Sequence, residues 1–154
     1  MNVSICSRKD AERLLNGTVP DNTAVISFCD VMSGDLDDDD FPLDYSGKAK
    51  RCFQVEISDI YFDELEDYGI SYQEYFPEAE ELASFIQKAV EEGCNIICQC
   101  EHGQSRSAGC AAAILEYYNQ EGIKIFADYK YCPNQMIFHK VYDALGKVNS
   151  SSFQ

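Results

Sequence analysis

The chain has 154 residues, of which 45% are hydrophobic and 25% charged, and its formal net charge is −15. This length and composition are typical of one globular domain with a single core. The negative charge argues against nucleic acid or an anionic membrane as a partner, because both are bound through clustered Lys and Arg. No apolar run approaches the ~20 residues that span a bilayer and no secretory leader is evident, so we expect a cytoplasmic protein.

Hydrophobic periodicity predicts strands and helices that alternate along the chain. The predicted strands are residues 3–6, 24–28, 51–57 and 95–99. The predicted helices are residues 10–15, 77–90, 107–118 and 133–145. Such alternation predicts an α/β fold with a mostly parallel central sheet flanked by helices in three layers. We assign residues 1–148 to a single domain and residues 149–154 to a short polar tail, and we expect 58–77 to be irregular.

An acidic segment follows the second predicted strand, in residues 34–44. Asp35, Asp37 and Asp39 have the spacing of calcium ligands. The glycine after the third carboxylate and the final glutamate of an EF-hand loop are both missing, which favours a solvated loop.

The eight cysteines are best explained as free thiols. Several lie inside predicted buried strands, and the domain has enough residues to form a core without disulfides. A zinc site needs ligands clustered as in C-x2-C pairs, and the sequence has none. We therefore predict no metal and no cofactor.

The segment Cys100–Ser107 joins a buried strand to an Ala-rich helix. Backbone amides in such a loop, together with the helix dipole, form an anion site at the carboxyl end of the strand. Gly103 allows the loop to curl with its amides inward, and Arg106 offers a planar fork to two phosphate oxygens. The same positive field favours the thiolate of Cys100, and Ser107 can hydrogen-bond its sulfur. The simpler alternative is a structural turn with a packed cysteine and a surface arginine.

Cys100-Glu-His-Gly-Gln-Ser-Arg-Ser107 resembles the C-x5-R-S loop of protein tyrosine phosphatases, in particular the compact dual-specificity branch. The resemblance implies that Cys100 is the nucleophile and that Ser107 assists it. It also implies that the following residues bind phosphate: Glu101, His102, Gly103, Gln104, Ser105 and Arg106. Phe53-Gln-Val-Glu-Ile-Ser-Asp59 matches the place of the family's general acid. Pro133-Asn134 matches the pair that opens its last helix, so Asn134 is expected to support the loop.

A general acid is needed because phosphate-ester cleavage expels an alkoxide or phenoxide, and a positioned carboxylic acid contributes ~10²–10⁴-fold. Asp59 is preferred because it ends a strand, and Asp63 is the competitor. Asp59 also fits the alternative of an ordinary turn residue. Gln99 stands where the family usually has His, so we expect it to support the loop without a charge.

These residues predict a cysteine-dependent phosphatase that hydrolyses phosphate monoesters through a cysteinyl-phosphate. Its substrate is expected to be protein phosphotyrosine or a small phosphomonoester. One alternative is a non-catalytic phosphate-binding pseudophosphatase. Another is a rhodanese-like or arsenate-reducing thiol enzyme, in which Cys94 or Cys98 would pair with an oxidised Cys100. Four tyrosines fit either an aromatic approach to the site or ordinary packing: Tyr61, Tyr68, Tyr72 and Tyr75.

Overall fold

The structure is a computed structural model, and it describes residues 1–31 and 42–151. The calcium alternative for Asp35, Asp37 and Asp39 therefore lies outside the described residues.

Four parallel strands form the central sheet of the described chain, in the order β1-β4-β2-β3. Their bounds are β1 Val3–Cys6, β2 Thr23–Cys29, β3 Arg51–Glu56 and β4 Asn95–Gln99. The predicted strands 3–6 and 95–99 are confirmed to the residue. Because all four strands run the same way, their carboxyl ends meet at one edge of the sheet.

The helices are α1 Arg8–Asn16, α2 Ala79–Glu91, α3 Arg106–Asn119, α4 Ile123–Ala127 and α5 Gln135–Ser151, with a 3₁₀ turn at Phe62–Glu64. Helix α4 and the 3₁₀ turn were not predicted. Helix α5 continues six residues beyond its predicted end, so residues 149–151 are helical. Among the described residues, no helix is long and apolar enough to cross a bilayer.

Alternate side chains of β2 pack into two separate layers, which confirms the predicted three-layer α/β architecture. Ile26 and Phe28 belong to the main core with residues of α2, α3 and α5. Val25, the residue before Ile26, packs instead with Ala11 of α1 and with Tyr45. This period of two is expected for a strand that is buried on both faces.

Helices α3 and α5 approach closely beside the carboxyl edge of the sheet. A Cβ atom at Gly109 of α3 would lie 2.5 Å from the carbonyl oxygen of Asn134. Small residues fill the same stretch of α3, and Ala111, Ala112 and Ala113 are fully buried. This packing brings the start of α5 against the segment that precedes α3.

Residues 58–77, predicted to be irregular, contain turns but are firmly packed. Ile60, Leu65, Tyr75 and Phe76 belong to the main core. The Tyr75 hydroxyl also donates a 2.8 Å hydrogen bond to the carbonyl of Ser58. The stretch is therefore a packed part of the domain.

Candidate active site

The predicted phosphate loop lies at the carboxyl edge of the sheet, between the end of β4 and the start of α3. The Cys100 amide donates to the Cys6 carbonyl at 3.3 Å, which extends the pairing of β1 with β4 by one residue. Cys100 is 2% exposed, and its Sγ lies 3.0 Å from the Oγ of Ser107 in the first turn of α3. A thiolate at this position would have a hydroxyl donor in contact.

The first half of the loop rests on the connection between β1 and α1. The Arg8 amide donates to the Glu101 carbonyl at 3.0 Å. Gly103 has φ +66°, and a Cβ atom there would lie 2.7 Å from the Ser7 nitrogen. Only glycine fits this position without strain or displacement of backbone, which accounts for the glycine that the sequence places in the loop. The side chains of His102 and Gln104 are exposed.

The second half of the loop is held by the segment that precedes α5. The Cys132 amide donates to the Gln104 carbonyl at 2.8 Å, and the Asn134 amide donates to the Ser105 carbonyl at 3.0 Å. The loop therefore has a firm backbone support on each side.

The first turn of α3 has no side-chain cap. Ser105 occupies the N-cap position, where serine commonly accepts from backbone amides. Its hydroxyl instead donates to Asp59 Oδ1 at 2.7 Å. The amides at this helix start are thus left for another acceptor, and the helix dipole favours an anion there.

Arg106 is buried, with its guanidinium at the ends of β2 and β3. Its Nη1 donates to Asp30 Oδ1 at 2.7 Å and to the Ile57 carbonyl at 2.9 Å. Asp30 is the first residue after β2 and was not among the predicted site residues.

Of the two predicted acid candidates, the structure brings Asp59 to the loop. Its Oδ1 accepts from Ser105 Oγ and, at 3.0 Å, from Asn134 Nδ2. Asn134 is fully buried, and its Nδ2 also donates to the Ile60 carbonyl, while its Oδ1 accepts from the Ile137 amide. Asp63 is exposed in the 3₁₀ turn and lines a groove with Phe62 and Gln135.

Gln99 lies beneath the loop in a buried polar network. Its Oε1 accepts from Ser27 Oγ at 2.5 Å and from Tyr45 Oη at 2.9 Å. Its Nε2 donates to the Cys100 carbonyl at 3.0 Å. Burial raises the pKa of Tyr45 above its ordinary value, so its hydroxyl remains a donor. The network links Cys100 to uncharged partners, as expected for Gln in place of His.

The two cysteines considered as redox partners of Cys100 lie in different environments. Cys94 precedes β4, and its thiol donates to Asn22 Oδ1 at 3.3 Å. Since six residues of extended chain span about 20 Å, Cys94 lies at the opposite edge from Cys100, and this geometry does not support the alternative in which the two pair. Cys98 is fully buried, and a hydrogen bond with Cys110, together with burial, raises its pKa well above the ordinary value. Burial raises the pKa of Cys6, beside Cys100, to about 12.

The four tyrosines separate into different roles. Tyr61 stands at the rim of the loop, 41% exposed, with its Oη 3.7 Å from the Sγ of Cys132. Tyr75 is a core residue, and the ring of Tyr72 lies under the ammonium of Lys140 at 4.1 Å. The Tyr61 hydroxyl therefore contacts the segment that supports the loop.

Among residues 1–31 and 42–151, no group of three His, Cys, Asp or Glu side chains is arranged to hold a metal ion.

No protein-family model and no curated protein matches the sequence, whereas solved structures do match the fold. Human DUSP28 matches with a TM-score of 0.53 at 14% identity, over 97% of this chain and 94% of that one. Tk-PTP in its active form matches with a TM-score of 0.56 at 14% identity, over 96% and 93%. PTPMT1 in complex with PI(5)P matches with a TM-score of 0.53 at 12% identity, over 98% and 94%. The fold is that of the cysteine-dependent phosphatases.

Residues beside this loop that were missed from the sequence include Asp30, Ser27, Tyr45 and Cys132. A signal existed for Asp30, because it follows a buried apolar strand just as Cys100 does. The carboxyl ends of neighbouring parallel strands share one edge, so polar residues at such ends are expected together. Tyr45 and Cys132 lie in connecting segments that carry no comparable pattern.

Proposed function

We propose that this protein hydrolyses phosphate monoesters through a cysteinyl-phosphate, with protein phosphotyrosine as the favoured substrate. One observation carries the proposal. The buried thiol of Cys100 and the guanidinium of Arg106 belong to one loop, and the carboxylate of Asp59 is hydrogen-bonded directly to that loop. The proposal is supported by the contacts of Cys100 with Ser107 and of Asp59 with Ser105.

In the first step, the Cys100 thiolate attacks phosphorus and the bond from phosphorus to the ester oxygen breaks. Asp59, protonated, gives its proton to the departing oxygen. The loop amides and Arg106 hold the three equatorial oxygens, where charge is spread in the transition state. Ser107 hydrogen-bonds the sulfur and stabilises it as the later leaving group.

In the second step, Asp59 is a carboxylate and takes a proton from a water molecule that attacks the cysteinyl-phosphate. The bond from sulfur to phosphorus breaks, inorganic phosphate is released, and Cys100 returns as thiolate with Ser107 beside it. Asp59 ends the cycle protonated, so both steps balance without a metal ion or a redox partner.

The charge of the protein supports a substrate with a single phosphate. With a net charge of −15 and the exposed Glu101 in the loop itself, polyanionic substrates meet repulsion around the site. Cys100 lies at the base of the loop, so a phosphate must project from its carrier to reach the sulfur. A tyrosine ring provides this reach, and Tyr61 at the rim offers an aromatic surface to it.

The test compares the wild type with Cys100→Ser, Asp59→Asn and Asp63→Asn on p-nitrophenyl phosphate and a phosphotyrosine peptide. We expect Cys100→Ser to abolish turnover. Asp59→Asn should lower kcat on the peptide by ~10²–10⁴-fold, the usual contribution of a general acid. Asp63→Asn, the matched control for the same change of charge, should stay near the wild type.

A larger loss in Asp63→Asn than in Asp59→Asn would show that the acid is misassigned. A wild type that binds phosphate but hydrolyses neither substrate would be a non-catalytic phosphate binder. Thiosulfate and arsenate assayed alongside test for sulfur transfer and arsenate reduction, and turnover of either in preference to the phosphate esters would overturn the proposal.

A further inference from the structure

We infer that Asp30 is a positioning residue that fixes the Arg106 guanidinium in the orientation that binds phosphate. The kinetic part of this inference rests on the proposed function. The binding part requires only that the loop holds phosphate.

The contacts of Arg106 occupy both hydrogens of one terminal nitrogen of its guanidinium. Nη1 carries two hydrogens, and these are taken by the Asp30 carboxylate at 2.7 Å and the Ile57 carbonyl at 2.9 Å. A phosphate can therefore be bound in bidentate fashion through Nε and Nη2, and not through the two terminal nitrogens. Asp30 and Ile57 together select one edge of the guanidinium for the ligand.

Both acceptors directly follow strands of the sheet. Cys29 pairs with Glu56 in the β2-β3 register, so Asp30 and Ile57 are the next residues along the two strands. The Ile57 amide donates to the Cys29 carbonyl at 2.9 Å, which continues the pairing beyond β3. Strand ends are more precise supports than free loops, so the position of Arg106 is set by the sheet itself.

Burial separates this role from that of a surface ion pair. The Arg106 side chain is 6% exposed, whereas that of Asp30 is 66% exposed. A pair with one solvated partner adds little stability, so orientation is the main effect of Asp30. Its charge also repels an incoming phosphate, and the two effects have opposite signs when Asp30 is removed. If Asp30 mainly orients Arg106, its removal should weaken phosphate binding. If Asp30 mainly repels phosphate, its removal should tighten phosphate binding.

The experiment measures inorganic phosphate affinity by calorimetry, and kcat and KM for p-nitrophenyl phosphate, in Asp30→Ala and Asp30→Asn. A lost charge-assisted hydrogen bond corresponds to ~10-fold or more, so Asp30→Ala should weaken phosphate binding and lower kcat/KM by about that factor. Asp30→Asn keeps an oxygen acceptor and should retain most of both. Asp21→Ala, the matched control, removes the same charge at the opposite end of β2 and should leave both unchanged.

A coupling measurement shows whether Asp30 acts through Arg106. In an Arg106→Lys background, Asp30→Ala should have little further effect on phosphate affinity. Equal losses in both backgrounds would overturn the inference, and so would wild-type or tighter phosphate binding by Asp30→Ala. Should Asp30→Ala fail to fold, Asp30→Ser provides the same comparison, since its hydroxyl is too short to reach the guanidinium.

The failures of the two proposals are distinguishable. A wild type that binds phosphate without hydrolysing esters contradicts the proposed function, and the affinities of the variants still decide the role of Asp30. A wild type that binds no phosphate overturns both.

Discussion

The carboxylate of Asp59 accepts a 2.7 Å hydrogen bond from the hydroxyl of Ser105, a residue of the phosphate loop. The proposed acid is thereby tied to the same loop that holds the proposed nucleophile, Cys100. The distance between acid and nucleophile is therefore set by loop geometry, and it does not depend on the length of the chain between them.

Ser105→Ala removes this hydrogen bond and leaves the one from Asn134. We expect kcat to fall several-fold on a phosphotyrosine peptide, because the acid is less well held. The loss on p-nitrophenyl phosphate should be smaller, since nitrophenoxide leaves with less need of a proton. Steady-state kinetics on both substrates measure the difference.

The control for this prediction is the same change in an Asp59→Asn background. There, Ser105→Ala should lower kcat no further, because the acid is already absent. An undiminished loss would show that Ser105 acts on phosphate and not through Asp59.

Gly103→Ala tests the contact between the loop and the β1-α1 connection. We expect it to cost stability through the positive φ and also through a Cβ atom 2.7 Å from the Ser7 nitrogen. Gly47→Ala is matched to it, with φ +73° and no atom within 4 Å of the added Cβ. The Gly103 variant should therefore lose about 1–3 kcal/mol more than the Gly47 variant, the usual cost of overpacking, and should bind phosphate less tightly. Urea denaturation and phosphate titration check this, and equal losses would contradict the close approach.

The Gln99 network predicts unequal costs for its members. Tyr45→Phe removes one donor to Gln99 Oε1, which still accepts from Ser27, and should cost about 1 kcal/mol of unfolding free energy. Gln99→Leu removes the hydrogen-bond partner of the Ser27 hydroxyl, the Tyr45 hydroxyl and the Cys100 carbonyl. Each of these groups that finds no new partner should lower the free energy of unfolding by about 1–3 kcal/mol. Chemical denaturation measures both variants. A Tyr45→Phe loss equal to that of Gln99→Leu would mean that the network does not centre on Gln99.

The lowered pKa of Glu92 predicts that the stability of the protein depends on pH in the acid range. A hydrogen bond from Arg51, with further help from Lys50, lowers the pKa of Glu92 from 4.5 to about 2. A carboxyl group whose pKa is lowered by folding stabilises the folded state at pH values above its pKa in the unfolded chain. This stabilisation is lost as the pH falls from about 4.5 to about 2. In Glu92→Gln, the decline of stability over this window should be less steep than in the wild type. Urea unfolding at several pH values checks this.

Glu80→Gln is the control for the Glu92 experiment, because Glu80 contacts Lys147 in a pair of which both side chains are at least 66% exposed. Its acid decline should match that of the wild type. An unchanged decline in Glu92→Gln would refute the assignment.

The features of the fold and site that could be predicted from the sequence are those that depend on a short continuous stretch of residues. Strand 95–99 is a short apolar run followed at once by Cys100, so both the strand and the start of the loop were predicted correctly. Helix α4, five residues long, has no side-chain cap and no amphipathic repeat, and it was missed. The contact of Asp30 with Arg106 depends on the strand order, which hydrophobic periodicity does not contain. Asp59 and Ser105 are 46 residues apart, and their contact likewise requires the fold.

The support of the loop by Cys132 and Asn134 has a consequence for how the protein becomes competent during synthesis. A growing chain contains Cys100 and Arg106 about thirty residues before the segment that completes their loop. Until that segment docks, the carbonyls of Gln104 and Ser105 lack their amide donors, and Asp59 lacks the side-chain amide of Asn134. Phosphate binding by truncated chains would thus show when the last helix has docked. A chain ending before residue 132 would contain Cys100 without the complete support of its loop.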